Sequence, residues 1–388
     1  MHVFAGQCRY VYNRALAMQR DRYKAEEKKL GYAGLCKALT QWRNDHETSW
    51  LKMGSVSTQQ QALCDLERAY INFFAGRASF PSFKRKGEYE SFRFPNAKQF
   101  YICQGHSRIK LPKLGWVRYR NSRRIEGTPK NATVSLRAGK WYVSIQTERE
   151  VPEPVHPSRT MVGIDMGVAR LATLSDSTVY EPLNSFKKHQ RALANAQRAM
   201  SRKVKFSQNW RKAKARIQRI QARIANARRD YLHKASNDIS KNHAVVVLED
   251  LKVSNMSKSA KGTAEAPGKN VKAKSGLNKA ILDQGWGEFR RQLEYKQKWR
   301  GGEVIAVNPR NTSRTCLQCG HVSADNRKTQ ARFKCISCGF EGHADLVAAE
   351  NIRRAGHARI ACGGEPVEAP VKQEPIETTC NAVQLGLL

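Results

Sequence analysis

Asp165, Glu249 and Asp345 are the residues of this 388-residue chain whose types and settings could do chemistry together. Asp165 sits in MVGIDMGVARLATLS, residues 161–175, where apolar residues run up to the carboxylate, a small turn follows at Gly167, and apolar character resumes at 171–174. That pattern predicts a buried strand, a tight turn and a returning strand. A carboxylate in such a place is costly to desolvate, so it is usually paired or bound to a metal. Taken alone, Asp165 equally suits a strand-end Asp satisfied by nearby backbone amides. Glu249 closes the apolar run 244–248, AVVVL, which reads as a strand covered on both faces. Strand side chains alternate, so Glu249 and Asp250 point to opposite faces and only one of them can meet Asp165. The other would be a helix cap or solvated. Asp345 opens DLVAAENIRRAG, which reads as a helix N-terminus. Three carboxylates from two strands and one helix could hold two Mg²⁺ ions for in-line hydrolysis of a phosphodiester.

A second constellation is made of sulfur. Cys316-Leu-Gln-Cys319 and Cys335-Ile-Ser-Cys338 are two CxxC knuckles fifteen residues apart. That spacing allows four thiolates to close a tetrahedral Zn²⁺ site. Gly320 and Gly339, one after each pair, permit turns that aim backbone amides at sulfur. With all four positions filled, the zinc would be structural, fixing the short segment that delivers Asp345. His321 and His343 lie nearby, and neither is needed as a ligand.

The elements that must position these groups sit in a chain of unusual charge. Sixty-nine Lys and Arg stand against 33 Asp and Glu, a net charge of +36. Such an excess repels itself unless a polyanion lies against it, which points to nucleic acid. A membrane surface is the other candidate, but no apolar run approaches the ~18 residues of a membrane span. The N-terminus, MHVFAGQCRY, lacks a signal-peptide pattern, so a cytoplasmic protein is expected. In that compartment cysteines are metal ligands or buried thiols more often than disulfides. Cys8, Cys36, Cys64, Cys103, Cys362 and Cys380 are scattered and read as small buried or surface residues.

Taken in order, residues 8 to about 75 read as helices, with Leu63, Leu66, Ala69, Tyr70 and Phe73 on one face of a helix over 57–74. From 80 to 149 short alternating runs broken by Gly and Pro predict a small antiparallel β-barrel. Aromatics alternate there with Lys84, Arg85, Lys86, Arg118 and Arg120. An ordinary barrel with solvated charges fits this texture; so does a surface that grips nucleic-acid backbone and stacks on bases, and the net charge favours the latter. Residues 151–159, with three prolines, predict a stiff linker. Residues 186–233 predict a helical hairpin broken near 207–209, with an apolar seam. Between Lys187 and Lys234 sixteen Lys and Arg face one acid, Asp230, so phosphate contact is expected at Lys203, Lys205, Arg211, Lys212 and Arg216. Residues 252–278 read as a flexible loop placed to act as a lid, 280–300 as a helix, 303–307 as a strand, and 362–388 as a disordered tail.

Taken together, these pieces resemble TnpB, the RNA-guided nuclease encoded by bacterial insertion sequences and related to type V CRISPR effectors. The resemblance rests on CRYVYN at Cys8, FPSFKRK at Phe80, GIDMGVARLATLSD at Gly163, VVLEDL at Val246, TSRTCLQCG at Thr312 and FKCISCGFEGHAD ending at Asp345, in matching order over residues 8–355. It implies an α/β RNase H-like (RuvC) nuclease domain at 160–310 with a zinc-ribbon insertion at 311–342 and a last helix at 343–361. It also implies a helical recognition lobe over 1–79 and a wedge-like barrel over 80–150 that binds the scaffold of a guide RNA. With seven residues ahead of Cys8, the barrel is expected to lack an edge strand. Asp165, Glu249 and Asp345 become the catalytic, Mg²⁺-binding triad. Val347 stands where the family commonly has Asn. The expected partners are a guide RNA transcribed from the element and duplex target DNA, cut next to a short flanking motif. A guided DNA-binding protein that no longer cuts, and a transposition accessory or end-joining protein, are the competing readings. Three mutually repelling carboxylates argue against the first, and no His-and-Tyr strand-transfer signature supports the second.

Overall fold

Helical stripes of apolar residues build the first part of the chain. The computed structural model describes residues 1–88 and 90–361. Helix α1 (His2–Lys24) buries Phe4, Cys8, Val11, Tyr12 and Leu16; α2 (Tyr32–Asn44) buries Leu35, Leu39 and Trp42; α3 (Val56–Phe74) buries Leu63, Leu66 and Tyr70. The expected 57–74 helix is α3, which begins one residue earlier and ends where expected, while α1 starts six residues ahead of Cys8. Six strands follow: β1 (Ser91–Phe94), β2 (Tyr101–Cys103), β3 (Arg108–Leu111), β4 (Gly115–Arg118), β5 (Thr128–Arg137) and β6 (Lys140–Glu148). They pair as two antiparallel sheets of three, β1-β5-β6 and β2-β3-β4. Alternation sends Phe92, Phe94, Ile109, Leu111, Ala132 and Val134 inward, into one core with the helices.

The chain divides into two compact units, one of Met1–Pro152 with Ala199–Ala222, the other of Glu153–Arg198 with the segment from Arg223 onward. The second unit contains β7 (Met161–Asp165), β8 (Ala172–Leu174) and β9 (Val179–Tyr180). Helices α4 (Ser185–Ser201) and α5 (Gln208–Asn242) are the two arms of the expected hairpin, with α5 running nine residues past His233. Then come β10 (Val245–Glu249), α6 (Val253–Met256), α7 (Val271–Gln284), α8 (Trp286–Arg300), β11 (Glu303–Val307), β12 (Arg332–Lys334), β13 (Glu341–His343) and α9 (Ala344–Ala361). Two expectations are corrected here. Residues 252–278 are not loop throughout, since α6 and the first half of α7 lie within them. The single helix expected over 280–300 is two, parted at Gly285, whose φ of 73° ends one helix and starts the next. The tail expected to be disordered, with Cys362 and Cys380, lies outside the described residues. Among the described residues, no helix is long and apolar enough to cross a membrane.

The central sheet runs β11-β10-β7-β8-β9, with β11, β10 and β7 parallel and β8 and β9 antiparallel. Its continuous apolar run has the cause inferred from it, because both faces of β10 are covered. Val246 and Leu248 join Ile164 in a core with Leu232 and Ile239 of α5 and Phe289 and Leu293 of α8. Val247 faces the other way, packed with Ile305, Val307 and Ile352 of α9. Helix α9 approaches the sheet closely at two glycines. A Cβ on Gly163 would stand 2.1 Å from the Ala349 carbonyl oxygen, and one on Gly356 would stand 2.4 Å from Val247 Cγ2.

That approach is testable. Gly163→Ala is expected to destabilise the second unit by about 1–3 kcal/mol or more, because backbone must move to admit the methyl. Gly287→Ala in α8, where a Cβ meets nothing within 4 Å, should leave thermal unfolding nearly unchanged. Equal melting temperatures for the two variants would show that α9 is not held where it lies.

Candidate active site

Strand register brings the first two carboxylates together. Leu248 is paired with Ile164, so Glu249 and Asp165 are each the next residue, at the carboxyl ends of neighbouring parallel strands. In α/β sheets that end is where ligands bind. Asp345 is the second residue of α9, and the same cavity, about 320 Å³, is lined by Asp165, Glu249 and Asp345. The ambiguity between Glu249 and Asp250 resolves by alternation: Glu249 is buried. Asp250 is exposed and accepts a hydrogen bond from Arg290 at 2.6 Å.

The cavity is electrostatically strained in a way that suits a cation. Burial pushes the Asp165 carboxyl up to about 7, and the carboxylates of Glu249 and Asp345 push in the same direction, with Arg327 opposing. Burial also raises Glu249, against the hydrogen bond it accepts from Thr312 Oγ1 at 2.5 Å. Thr312 is itself fixed, since Asn351 Nδ2 of α9 donates to the carbonyls of Thr312 and Thr315, both at 2.8 Å. Arg327 Nη2 donates to Asp345 Oδ1 and to the Gln330 carbonyl, both at 3.0 Å. Carboxylate oxygens are the donor type that Mg²⁺ or Mn²⁺ takes, and Arg170 and Arg327 line the same cavity. Among the described residues, only the four knuckle cysteines bring three or more ligand atoms within 4.8 Å of one another.

The sequence pointed to the three acids but not to their supports. Arg327 lies between the two cysteine knuckles, where one more Arg in a basic chain carries no signal. Thr312 was visible only as part of TSRTCLQCG, and Asn351 only as a polar residue in a helical run.

The four cysteines converge. Cys316 Sγ lies 3.5 Å from Cys338 Sγ, Cys319 Sγ lies 3.6 Å from Cys335 Sγ, and all four sulfurs fall within 4.8 Å of one another. Tetrahedral Zn–S bonds of ~2.3 Å require sulfurs about 3.8 Å apart, so the set fits zinc. Backbone amides, that of Cys338 first, draw the Cys335 thiol down to about 6, toward the thiolate a metal needs. Phe333, Ala344 and Val347 pack against Cys316 and Cys335, joining the knuckle directly to the start of α9. At position 347 this chain thus uses an apolar residue as core.

Of the ten cations singled out for nucleic acid, nine are exposed: Arg85, Lys86, Arg118, Arg120, Lys203, Lys205, Arg211, Lys212 and Arg216. Lys84 is placed differently. Its ammonium sits 4.0 Å from the Tyr12 ring centroid, its backbone is held on both sides by the Asn13 side chain, and burial lowers its pKa.

Comparison with known proteins accounts for this combination. Over 379 residues, 97% of this chain and 94% of the other, the sequence is 58% identical to "Putative RNA-guided DNA endonuclease InsQ" of Escherichia coli (strain K12). The chain belongs to the TnpB (OrfB) family. A Streptomyces pristinaespiralis protein with the name "Putative RNA-guided DNA endonuclease" is 32% identical over 98% of this chain and 93% of its own length. The family pattern described as "Probable transposase" (OrfB of IS605) matches residues 144–260, and "Cas12f1-like, TNB domain" matches 286–352, which includes the knuckles. A "Helix-turn-helix domain" pattern matches residues 1–28, where the structure has α1. Among solved structures, a Cas12f1–sgRNA–target DNA complex aligns with 91% of this chain and 81% of its own at a TM-score of 0.51. At 14% identity that likeness concerns the fold.

Proposed function

We propose that this TnpB-family chain is an RNA-guided DNA endonuclease of an insertion sequence, cutting duplex DNA beside a short flanking motif. The observation that carries the reading is the convergence of Asp165, Glu249 and Asp345 on one cavity, in a chain of charge +36. In this reading residues 160–310 form a RuvC-like nuclease domain, 311–342 a zinc ribbon and 343–361 its last helix. The two antiparallel sheets within 80–150 serve as a wedge-like barrel for guide-RNA scaffold, and 1–79 as the recognition lobe.

The three carboxylates would hold two Mg²⁺ ions, which when bound activate the attacking water and neutralise charge on the phosphate. Glu249 is presented in one orientation because Thr312 binds one of its oxygens. Arg327, paired with Asp345, and Arg170 line the cavity with the carboxylates and would supply the positive charge that a scissile phosphate needs. The quartet Cys316, Cys319, Cys335 and Cys338 would hold zinc and thereby fix both Arg327 and the start of α9. Sequence specificity would come from pairing between guide and target, while the protein reads backbone and flanking motif. Exposed cations of the 186–233 hairpin and of 85–120 would contact phosphates.

If a structured RNA is held by shape and stacking, purified protein should carry it through a moderate salt wash. Contacts made by charge alone weaken by roughly 10³–10⁵ between 50 and 200 mM salt for 6–10 phosphates. Sequencing the retained RNA should return one transcript ending in a variable segment. A random population that washes away with salt would reject guidance.

A further inference from the structure

Helix α8 carries an aromatic pair that the cleavage site does not use. Trp299 is 73% exposed and meets Tyr295, one turn earlier, edge-on with ring centroids 4.7 Å apart. A single exposed apolar residue needs no explanation. The surroundings of this one do. The Arg291 guanidinium lies 5.7 Å from the Tyr295 ring centroid while bonded to Glu288. Arg300 Nη2 donates to Asn237 Oδ1 of α5 at 2.9 Å, and Lys298, which precedes Trp299 in the chain, is exposed. Arg229 of α5 acts electrostatically on the same Glu288. The exposed charged residues of α8 are Arg291 and Lys298, with no acid among them.

The platform beneath is rigid. Lys296 is buried and donates to the His233 carbonyl at 2.7 Å and to Ser236 Oγ at 2.8 Å. Ser236 Oγ in turn donates to Gln292 Oε1 at 3.0 Å, and Gln297 Nε2 to the His243 carbonyl at 2.8 Å. These buried polar links tie α8 to α5, so the outward face of α8 is held before anything binds. An exposed indole on a fixed, cationic helix face matches the chemistry of an unpaired nucleotide, whose base offers a π-face and whose flanking phosphates offer charge.

We propose that Trp299, with Tyr295, is a stacking platform for an unpaired nucleotide of a single strand, its flanking phosphates held by Lys298 and Arg300. This rests on the reading of the chain as a nucleic-acid enzyme and adds a contact away from the carboxylate cavity.

The test uses the full chain freed of copurified nucleic acid. Fluorescence anisotropy compares a short labelled oligouridylate, an oligothymidylate of equal length and an RNA duplex, against wild type, Trp299→Ala and Trp299→Phe. One lost base stack is expected to weaken Trp299→Ala by about 5- to 150-fold for a single strand, with duplex affinity unchanged and Trp299→Phe within about threefold of wild type. The RNA and DNA arms identify which strand the platform prefers, and a loss in either supports it. In parallel, photocrosslinking of an oligonucleotide bearing 4-thiouridine should attach it to the peptide containing Trp299. Equal single-strand binding by Trp299→Ala, loss of duplex and single strand alike, or absence of the crosslink would overturn the proposal. So would a change confined to self-association, which would make the face a protein interface. Guided plasmid cleavage by wild type is scored separately, so the platform can fail while the nuclease reading stands, and the converse.

Discussion

Replacing Asp165 by Ala is expected to lower Mg²⁺-dependent cleavage by about 10³-fold or more, while RNA and DNA binding stays within a few-fold. Ion-supplied stabilisation of the transition state amounts to several kcal/mol, and every ~1.4 kcal/mol is tenfold in rate. Glu249→Ala and Asp345→Ala should behave alike, since all three side chains line the one cavity. Asp250→Ala should keep measurable activity, because that carboxylate points away and is paired with Arg290. Cleavage of a plasmid matching the guide measures all four. Undiminished cutting by Asp165→Ala would remove the basis for the site.

The same residue has a pH signature that does not depend on cleavage. The Asp165 carboxyl moves from 3.8 to about 7 on folding. Between these values the folded protein holds a proton that the unfolded chain has lost, so stability falls as pH rises through this window and stays low above it. In metal-free protein, Asp165→Asn should therefore gain in melting temperature over wild type at about pH 8 and gain little near pH 4. Divalent ions displace the proton, so their apparent affinity for wild type should rise as pH passes through neutrality.

The second large effect concerns zinc. Cys335→Ser is expected to lose the bound zinc, measured as metal per chain, and to melt the ribbon with it. Structural zinc supplies apparent folding free energies of about 10–16 kcal/mol in small modules. Because Cys335 packs with Ala344 and Val347, the loss should also release the start of α9 and reduce cleavage strongly. Cys103→Ser, at a thiol outside the quartet, should keep full zinc. Normal zinc content in Cys335→Ser would show that the ligand set is wrong.

Much of this site could be read from the chain because its elements carry unambiguous periods. The apolar run before Glu249 has no polar alternation, which suits a strand covered on both faces, and Val246 and Val247 do pack into different cores. The two knuckles have a spacing that few other chemistries use. What could not be read depends on contacts distant in sequence. Glu249 and Asp250 are chemically alike, and only the pairing of Leu248 with Ile164 selects between them. Arg327 matters because the ribbon folds its side chain onto Asp345, eighteen residues later. Lys84 looks like its neighbours Arg85 and Lys86, yet it packs on Tyr12, seventy-two positions earlier. The helix break at Gly285 was missed because a lone Gly is tolerated inside helices and gains meaning only from its positive φ.

The central claim, that base pairing with a bound RNA chooses where Asp165, Glu249 and Asp345 cut, is tested most directly by exchanging the guide. Protein loaded with RNA carrying a new guide segment should cut a plasmid holding the new match, leave the old target intact, and cut nothing when the RNA is omitted. Equal cutting of matched and unmatched plasmids, or cutting without RNA, would contradict guidance and leave a metal-dependent nuclease without a programmed target.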